Sequence, residues 1–157
     1  MLKPGQPAPD FNLVDTDKQT VTLADYKGKN LMLLFFPFAW TGTCTKEVCL
    51  MRDDVSVYTN LNSEILAVSV DSPHALRRFK EDYNLNYRVA SDFNKEAIEA
   101  YGARYDSFSL GMRGVAKRSA FVIDKEGIIR YAEVLENASD LPDFEKVKEV
   151  LQSLRIL

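Results

Sequence analysis

The chain has 157 residues, 46% apolar and 27% charged, with two cysteines and a formal net charge of −3. That length fits one domain, residues 1–157, and is ample for a buried core, while the acidic balance gives no footing for nucleic acid. That charge points instead to a small-molecule substrate or a protein partner; two cysteines make no disulfide framework, so the thiols serve catalysis or packing.

From Met1 to Asp10 the chain is proline-rich, with no apolar stretch of the kind a secretory signal needs. The longest apolar run, Leu31 to Trp40, is too short to span a bilayer and is interrupted by Pro37. A soluble, cytoplasmic protein without membrane contact is the expectation. Phe11–Val14 and Val21–Leu23 read as short strands around a turn at Asp15-Thr16-Asp17-Lys18. After a turn at Lys27-Gly28-Lys29-Asn30, Leu31–Phe36 is apolar on both faces, which predicts an interior strand. Thr43 is placed to cap a helix reaching about Asn60, with Val48, Met51, Val55 and Tyr58 as its buried stripe. Ile65–Val70 is a second buried strand, and Ser72-Pro73 opens a helix with Leu76, Phe79 and Tyr83 inward. Tyr87–Ala90 reads as a strand, and Lys95–Tyr101 as a helix stopped by Gly102. Ser119–Asp124 and Ile128–Val134 flank Lys125-Glu126-Gly127 as a hairpin. Phe144, Val147, Leu151 and Leu154 share one face of a closing helix. This order predicts an α/β protein, a central mixed sheet flanked by helices on both faces.

Cys44 carries the chemistry. It follows the apolar strand and the loop Pro37-Phe38-Ala39-Trp40-Thr41-Gly42-Thr43, and it stands at a helix start. Unpartnered backbone N–H groups and the positive end of the helix dipole favour a sulfur anion there. Thr41 lies three residues earlier, where a hydroxyl can bond the sulfur and meet a substrate oxygen. Pro37 ends the strand and removes a backbone donor. Arg118, just before the apolar run Ser119–Ile123, is the candidate fixed cation, since a guanidinium fork can hold a thiolate and a peroxide oxygen together. Such parts suit attack of a thiolate on a peroxide oxygen, giving a sulfenic acid. The competing reading is a small buried hydrophobe.

Pro37-x-x-x-Thr41-x-x-Cys44 resembles the peroxiredoxin active-site pattern, and Arg118 before an apolar strand looks like that family's arginine. The likeness runs from Gly5-Gln6-Pro7-Ala8-Pro9-Asp10-Phe11 through Arg118 to Gly127, nearly the whole chain. It implies a thioredoxin-like fold, Cys44 as the peroxidatic residue, and Pro37, Thr41 and Arg118 as its support. Hydrogen peroxide or a small organic hydroperoxide is the implied substrate, and a thioredoxin-like or other thiol the reductant. Glu47 matches a position where the family places a glutamate or glutamine near the arginine. A solvated acid complementing the helix dipole is the other reading. The loop Pro37–Cys44 resembles the alkyl hydroperoxide reductase E type, described as one-cysteine. Cys44-x-x-x-x-Cys49 resembles the bacterioferritin-comigratory (Q) type, whose second cysteine resolves the sulfenic acid.

Five residues along an intact helix separate two Cα atoms by roughly 8.6 Å, beyond the about 7 Å a disulfide tolerates. Cys49 therefore reaches Cys44 only if the first turns unwind, and the alternative leaves Cys49 packed and an external thiol as reductant. Cys-x4-Cys is no usual zinc spacing and His74 is the single histidine, so neither metal nor cofactor is expected. Phe38 and Trp40 beside the site could line its mouth, pack, or meet a second subunit in a homodimer. The rival from another class is a thioredoxin-fold peroxide sensor or interaction module.

Overall fold

The structure, a computed structural model, describes residues 2–155. Its strands are β1 (Asn12–Asp15), β2 (Thr20–Thr22), β3 (Asn30–Phe35), β4 (Ser63–Ser69), β5 (Arg88–Ser91), β6 (Ser119–Ile123) and β7 (Ile129–Val134). They form one sheet in the order β2-β1-β5-β4-β3-β6-β7. The pairs β3/β4 and β4/β5 are parallel, and β1/β2, β1/β5, β3/β6 and β6/β7 antiparallel. The expected mixed sheet is therefore present, with the hairpin at one end.

Helices α1 (Gly42–Asp53), α2 (Val55–Asn60), α3 (Pro73–Asp82), α4 (Glu96–Ala100) and α5 (Phe144–Arg155) cover it. Every residue of β3 is buried, as a run apolar on both faces requires. Alternation then sorts the core into two layers. Met32, Leu34 and Phe36 face Val48, Met51, Leu76, Phe79 and Val147, the inner faces of α1, α3 and α5. Leu31, Leu33 and Phe35 face Ile98, Tyr101 and Tyr26 on the other side. Each such aliphatic side chain contributes about 1.5–3 kcal/mol by leaving water.

Three expectations need correcting. The helix predicted from Thr43 to Asn60 is broken at Asp54, whose N–H bonds back to Leu50 and Met51. Its N-cap is Thr41, not Thr43: Thr41 keeps extended backbone and helical conformation begins at Gly42. Leu23 belongs to a short 3-10 turn, Leu23–Tyr26, which Asp25 starts by accepting the Thr22 N–H at 2.9 Å. Ser72 does cap α3, accepting from the Ala75 N–H at 3.1 Å.

Candidate active site

Register brings the site together. β3 and β6 run antiparallel with Phe35 opposite Ser119, so Arg118 falls beside the exit of β3. That exit leads through buried Pro37 into the loop carrying Cys44. A second tether holds the loop: the Ala39 N–H donates to Asp71 Oδ2 at 2.8 Å, and the Ser69 hydroxyl donates to the same oxygen at 2.6 Å. The end of β4 thus fixes the loop that leaves its neighbour β3. Trp40 takes a left-handed φ of 73° and lies against Phe79 and Tyr83, at ring distances of 5.2 and 6.0 Å. A bulky residue in that conformation is held by its surroundings, and such strain gathers where a loop must present a group.

Cys44 is the third residue of α1 and only 1% exposed. The first helical bond runs from the Thr45 N–H to the Thr41 carbonyl at 2.9 Å. Helix geometry therefore leaves the N–H groups of Gly42, Thr43 and Cys44 without intrahelical acceptors, and the Thr41 side chain caps none of them. Those donors gather at the sulfur's end of the helix.

Arg118, itself 1% exposed, spends its fork on three partners. Nη2 donates to the Cys44 sulfur at 3.2 Å and Nη1 to Glu47 Oε1 at 2.8 Å. Nη2 and Nε also donate to the Ala138 carbonyl, at 2.9 and 3.3 Å. Burial works against the charged guanidinium, but the Glu47 carboxyl and the Cys44 sulfur outweigh it and hold Arg118 above its ordinary range. Glu47 is pushed up to about 7 by burial, with Arg118 pulling the other way.

Cys44 and Arg118 thus meet as expected. Thr41 does not bond the sulfur: its hydroxyl donates to the Phe38 carbonyl at 2.9 Å. With its one proton committed, that oxygen is left as an acceptor, suited to a peroxide O–H rather than to a thiolate. Glu47 is fully buried, which removes the solvated-acid reading. Cys49 is a half-buried free thiol farther along the unbroken α1. His74 is exposed, and among the described residues no cluster of histidine, cysteine or acidic side chains could hold a metal ion. Sequence reasoning missed Asp71 and the Ala138 carbonyl. An aspartate after a buried strand and before Ser72-Pro73 was the available hint for the first; a backbone carbonyl offers none.

A sheet of this kind presenting a buried thiol to an arginine fork at a helix start defines a thioredoxin-fold, cysteine-based redox protein. The AhpC/TSA family matches residues 4–132. Alkyl hydroperoxide reductase E of Mycobacterium bovis is 39% identical over 137 residues, covering 85% of this chain and 86% of that protein. The crystal structure of peroxidoxin BcpB from Mycobacterium tuberculosis is similar with a TM-score of 0.86 at 26% identity, covering 99% of each chain. A peroxiredoxin-like protein from Aquifex aeolicus gives 0.86 at 28% identity, over 98% of this chain and 88% of that one. The chain belongs to the AhpC/TSA family and is a thiol-dependent peroxidase.

Proposed function

We propose that Cys44 is the peroxide-reacting thiolate, that Arg118 holds both this sulfur and the incoming peroxide, and that Thr41 accepts the peroxide O–H. The observation that carries this is the single guanidinium bonded to the Cys44 sulfur at 3.2 Å while anchored by Glu47 at 2.8 Å. The sulfur's electron pair attacks one peroxide oxygen, the O–O bond breaks, and water or an alcohol leaves. Donors already fixed around that charge need no reorganisation during the step. Pro37, buried at the strand exit, excludes water beneath the loop. Hydrogen peroxide or a small organic hydroperoxide is the substrate class.

Cys49 resolves the sulfenic acid as an internal disulfide, after the turn from Gly42 to Glu47 unwinds. Helix starts open at modest cost because their bonds are already incomplete. A thioredoxin-like donor then reduces the disulfide, in keeping with the reducing environment of the cytoplasm. Trp40 is 48% exposed and Leu110 94%, on loops linked by the Phe38–Phe108 ring contact at 6.1 Å, which gives a second copy an apolar surface to cover in a homodimer.

Intact-mass measurement after one equivalent of peroxide tests the scheme. The parent should lose two hydrogens, and Cys49→Ser should gain one oxygen. A parent that only gains oxygen has a one-cysteine cycle with an external thiol. A Cys44→Ser protein that still turns over peroxide removes Cys44 from the role.

A further inference from the structure

One cation and two acids are buried together at this site. Cys44 and Glu47 lie on one face of α1, three residues apart, and both bond the same guanidinium. Neither they nor Arg118 is more than 1% exposed. With both acids ionised, the cluster would hold two anions against one cation, and an uncompensated buried charge is costly. Arg118 is the one cation bonded to either acid among the described residues, and Lys117, next to it, pairs instead with Glu136 at 2.6 Å. The remaining arginine donors go to the neutral Ala138 carbonyl.

Glu47 itself shows the imbalance. Its Oε1 takes the Arg118 bond, while Oε2 is buried with no hydrogen-bond partner. A carboxylate carries charge on both oxygens and needs donors for both; a neutral carboxylic acid tolerates a bare oxygen better. We propose that Glu47 holds the site's proton while the Cys44 sulfur is anionic and gives it up when that sulfur is oxidised, so that the buried cluster stays neutral throughout. The inference rests on Cys44 being the peroxide-reacting thiolate.

The balance closes. Before reaction the cluster is an anionic sulfur, the Arg118 cation and a neutral Glu47. The sulfur's electron pair forms an S–O bond, the O–O bond breaks, and its electrons leave on the distal oxygen. That oxygen takes up one proton and Glu47 loses one. Afterwards a neutral sulfenic acid stands beside an Arg118–Glu47 ion pair. Sulfur has lost two electrons and the peroxide has gained two, and the cluster's net charge is zero at both ends.

The neighbours permit this. Arg118 faces Glu47 from the residue just before β6, and Cys44 from its own helix. Tyr87, at the approach to β5, is the other ionisable group that senses Glu47, and burial drives its phenol far above the ordinary range. Tyr105 faces Arg118 and Cys44, and is likewise raised by burial. Both stay neutral near pH 7. Burial lifts Glu47 itself to about 7, the range in which a carboxyl can hold and release a proton under physiological conditions.

The test counts protons in a single turnover. Cys49→Ser and Cys49→Ser/Glu47→Gln proteins are mixed with hydrogen peroxide in weak buffer just below neutrality, with an indicator dye. Intact mass records the oxygen gained. The glutamate protein should take no proton from solvent per sulfur oxidised, and the glutamine protein should take one. Glutamine keeps the bond to Arg118, so a merely positioning role predicts equal counts. Oxygen gained with equal counts overturns the proposal; no oxygen gained overturns the reading of Cys44 instead. An independent measure uses the Cys49→Ser protein alone. The infrared C=O stretch of a protonated carboxyl should be present before peroxide and absent after, and its persistence also overturns the proposal.

Discussion

Tyr87 donates its hydroxyl to the Val48 carbonyl across 2.6 Å, one residue before Cys49. Two further bonds reinforce it: Arg52 Nη1 to the Tyr83 carbonyl at 2.7 Å and Asn86 Nδ2 to the Arg52 carbonyl at 3.3 Å. The second half of α1 is thus pinned to the segment before β5, and its first half is held by Arg118. In the proposed disulfide step the Tyr87 bond holds the Cys49 half of α1 in place, and the expectation is that the turn carrying Cys44 moves toward it once the sulfur's bond to Arg118 is lost.

Tyr87→Phe removes that pin while keeping the buried ring. A net loss of about 1 kcal/mol is expected, read as a lower denaturant midpoint. Amide exchange at Cys49 to Arg52 should quicken about fivefold, matching that free energy. The rate of sulfenic acid formation should not move, because Tyr87 touches neither Arg118 nor the sulfur. Slower peroxide reaction with unchanged exchange would count against a pin at Val48.

Arg118→Lys keeps the charge and loses the fork. One ammonium cannot reach the sulfur, Glu47 and Ala138 with the same planar geometry. kcat/KM for hydrogen peroxide should fall roughly 100-fold, the usual cost of losing a donor aimed at developing charge. Arg118→Ala goes further, since it leaves the Cys44 sulfur and a protonated Glu47 buried without their shared donor, and about 1–3 kcal/mol of stability should be lost. Steady-state kinetics and urea unfolding separate the two effects.

How much of this was legible beforehand follows from where the information lies. The strands β3, β4 and β6 carry the apolar runs Leu31–Phe35, Ile65–Val68 and Ala120–Ile123, so the burial of those stretches can be read locally. Pro37, Thr41 and Cys44 form one short segment, and Arg118 abuts an apolar run; these too could be picked out. Glu47 could not be decided, because its surroundings come from Arg118, 71 positions away in the chain. Thr41 and Thr43 are the same residue type, so cap preference cannot choose between them; in the fold the first helical bond runs from the Thr45 N–H to the Thr41 carbonyl. The proton of Thr41 was assigned to the sulfur because spacing alone cannot show that the Phe38 carbonyl lies closer to hand.

Glu47 also makes stability depend on pH. Its folded-state value of about 7 lies above the 4.5 of an exposed glutamate. The folded protein therefore binds the proton more tightly than the unfolded chain does. This stabilisation is fully present below about pH 4.5 and is lost as pH rises through about 7. It amounts to roughly 3 kcal/mol across that window. Glu47→Gln has no such proton, so the stability of the parent relative to the variant should fall from pH 4.5 to 7 and level off above. Urea unfolding of both proteins at stepped pH measures it; parallel curves would show that Glu47 does not titrate in the fold.

Asp71 carries the last expectation. One of its oxygens accepts both the Ala39 N–H and the Ser69 hydroxyl, and its own carbonyl accepts from Ser91 at 2.5 Å. The carboxylate therefore ties the Pro37–Thr41 loop to the end of β4. In Asp71→Ala the buried Ala39 N–H loses its acceptor, at a cost of about 1–2 kcal/mol. The larger effect should fall on chemistry: in the proposed scheme the loop sets where Thr41 and the α1 N-terminus would meet the peroxide, and small displacements of reacting groups are expensive. A drop of roughly tenfold or more in the rate of Cys44 oxidation is expected. Trp40 is the chain's single tryptophan and stands in this loop, so a fluorescence change on oxidation is expected and stopped flow would time it. Asp71→Asn retains an oxygen for Ala39 and should recover most of the rate, whereas equal damage in both variants would point to the charge rather than the tether.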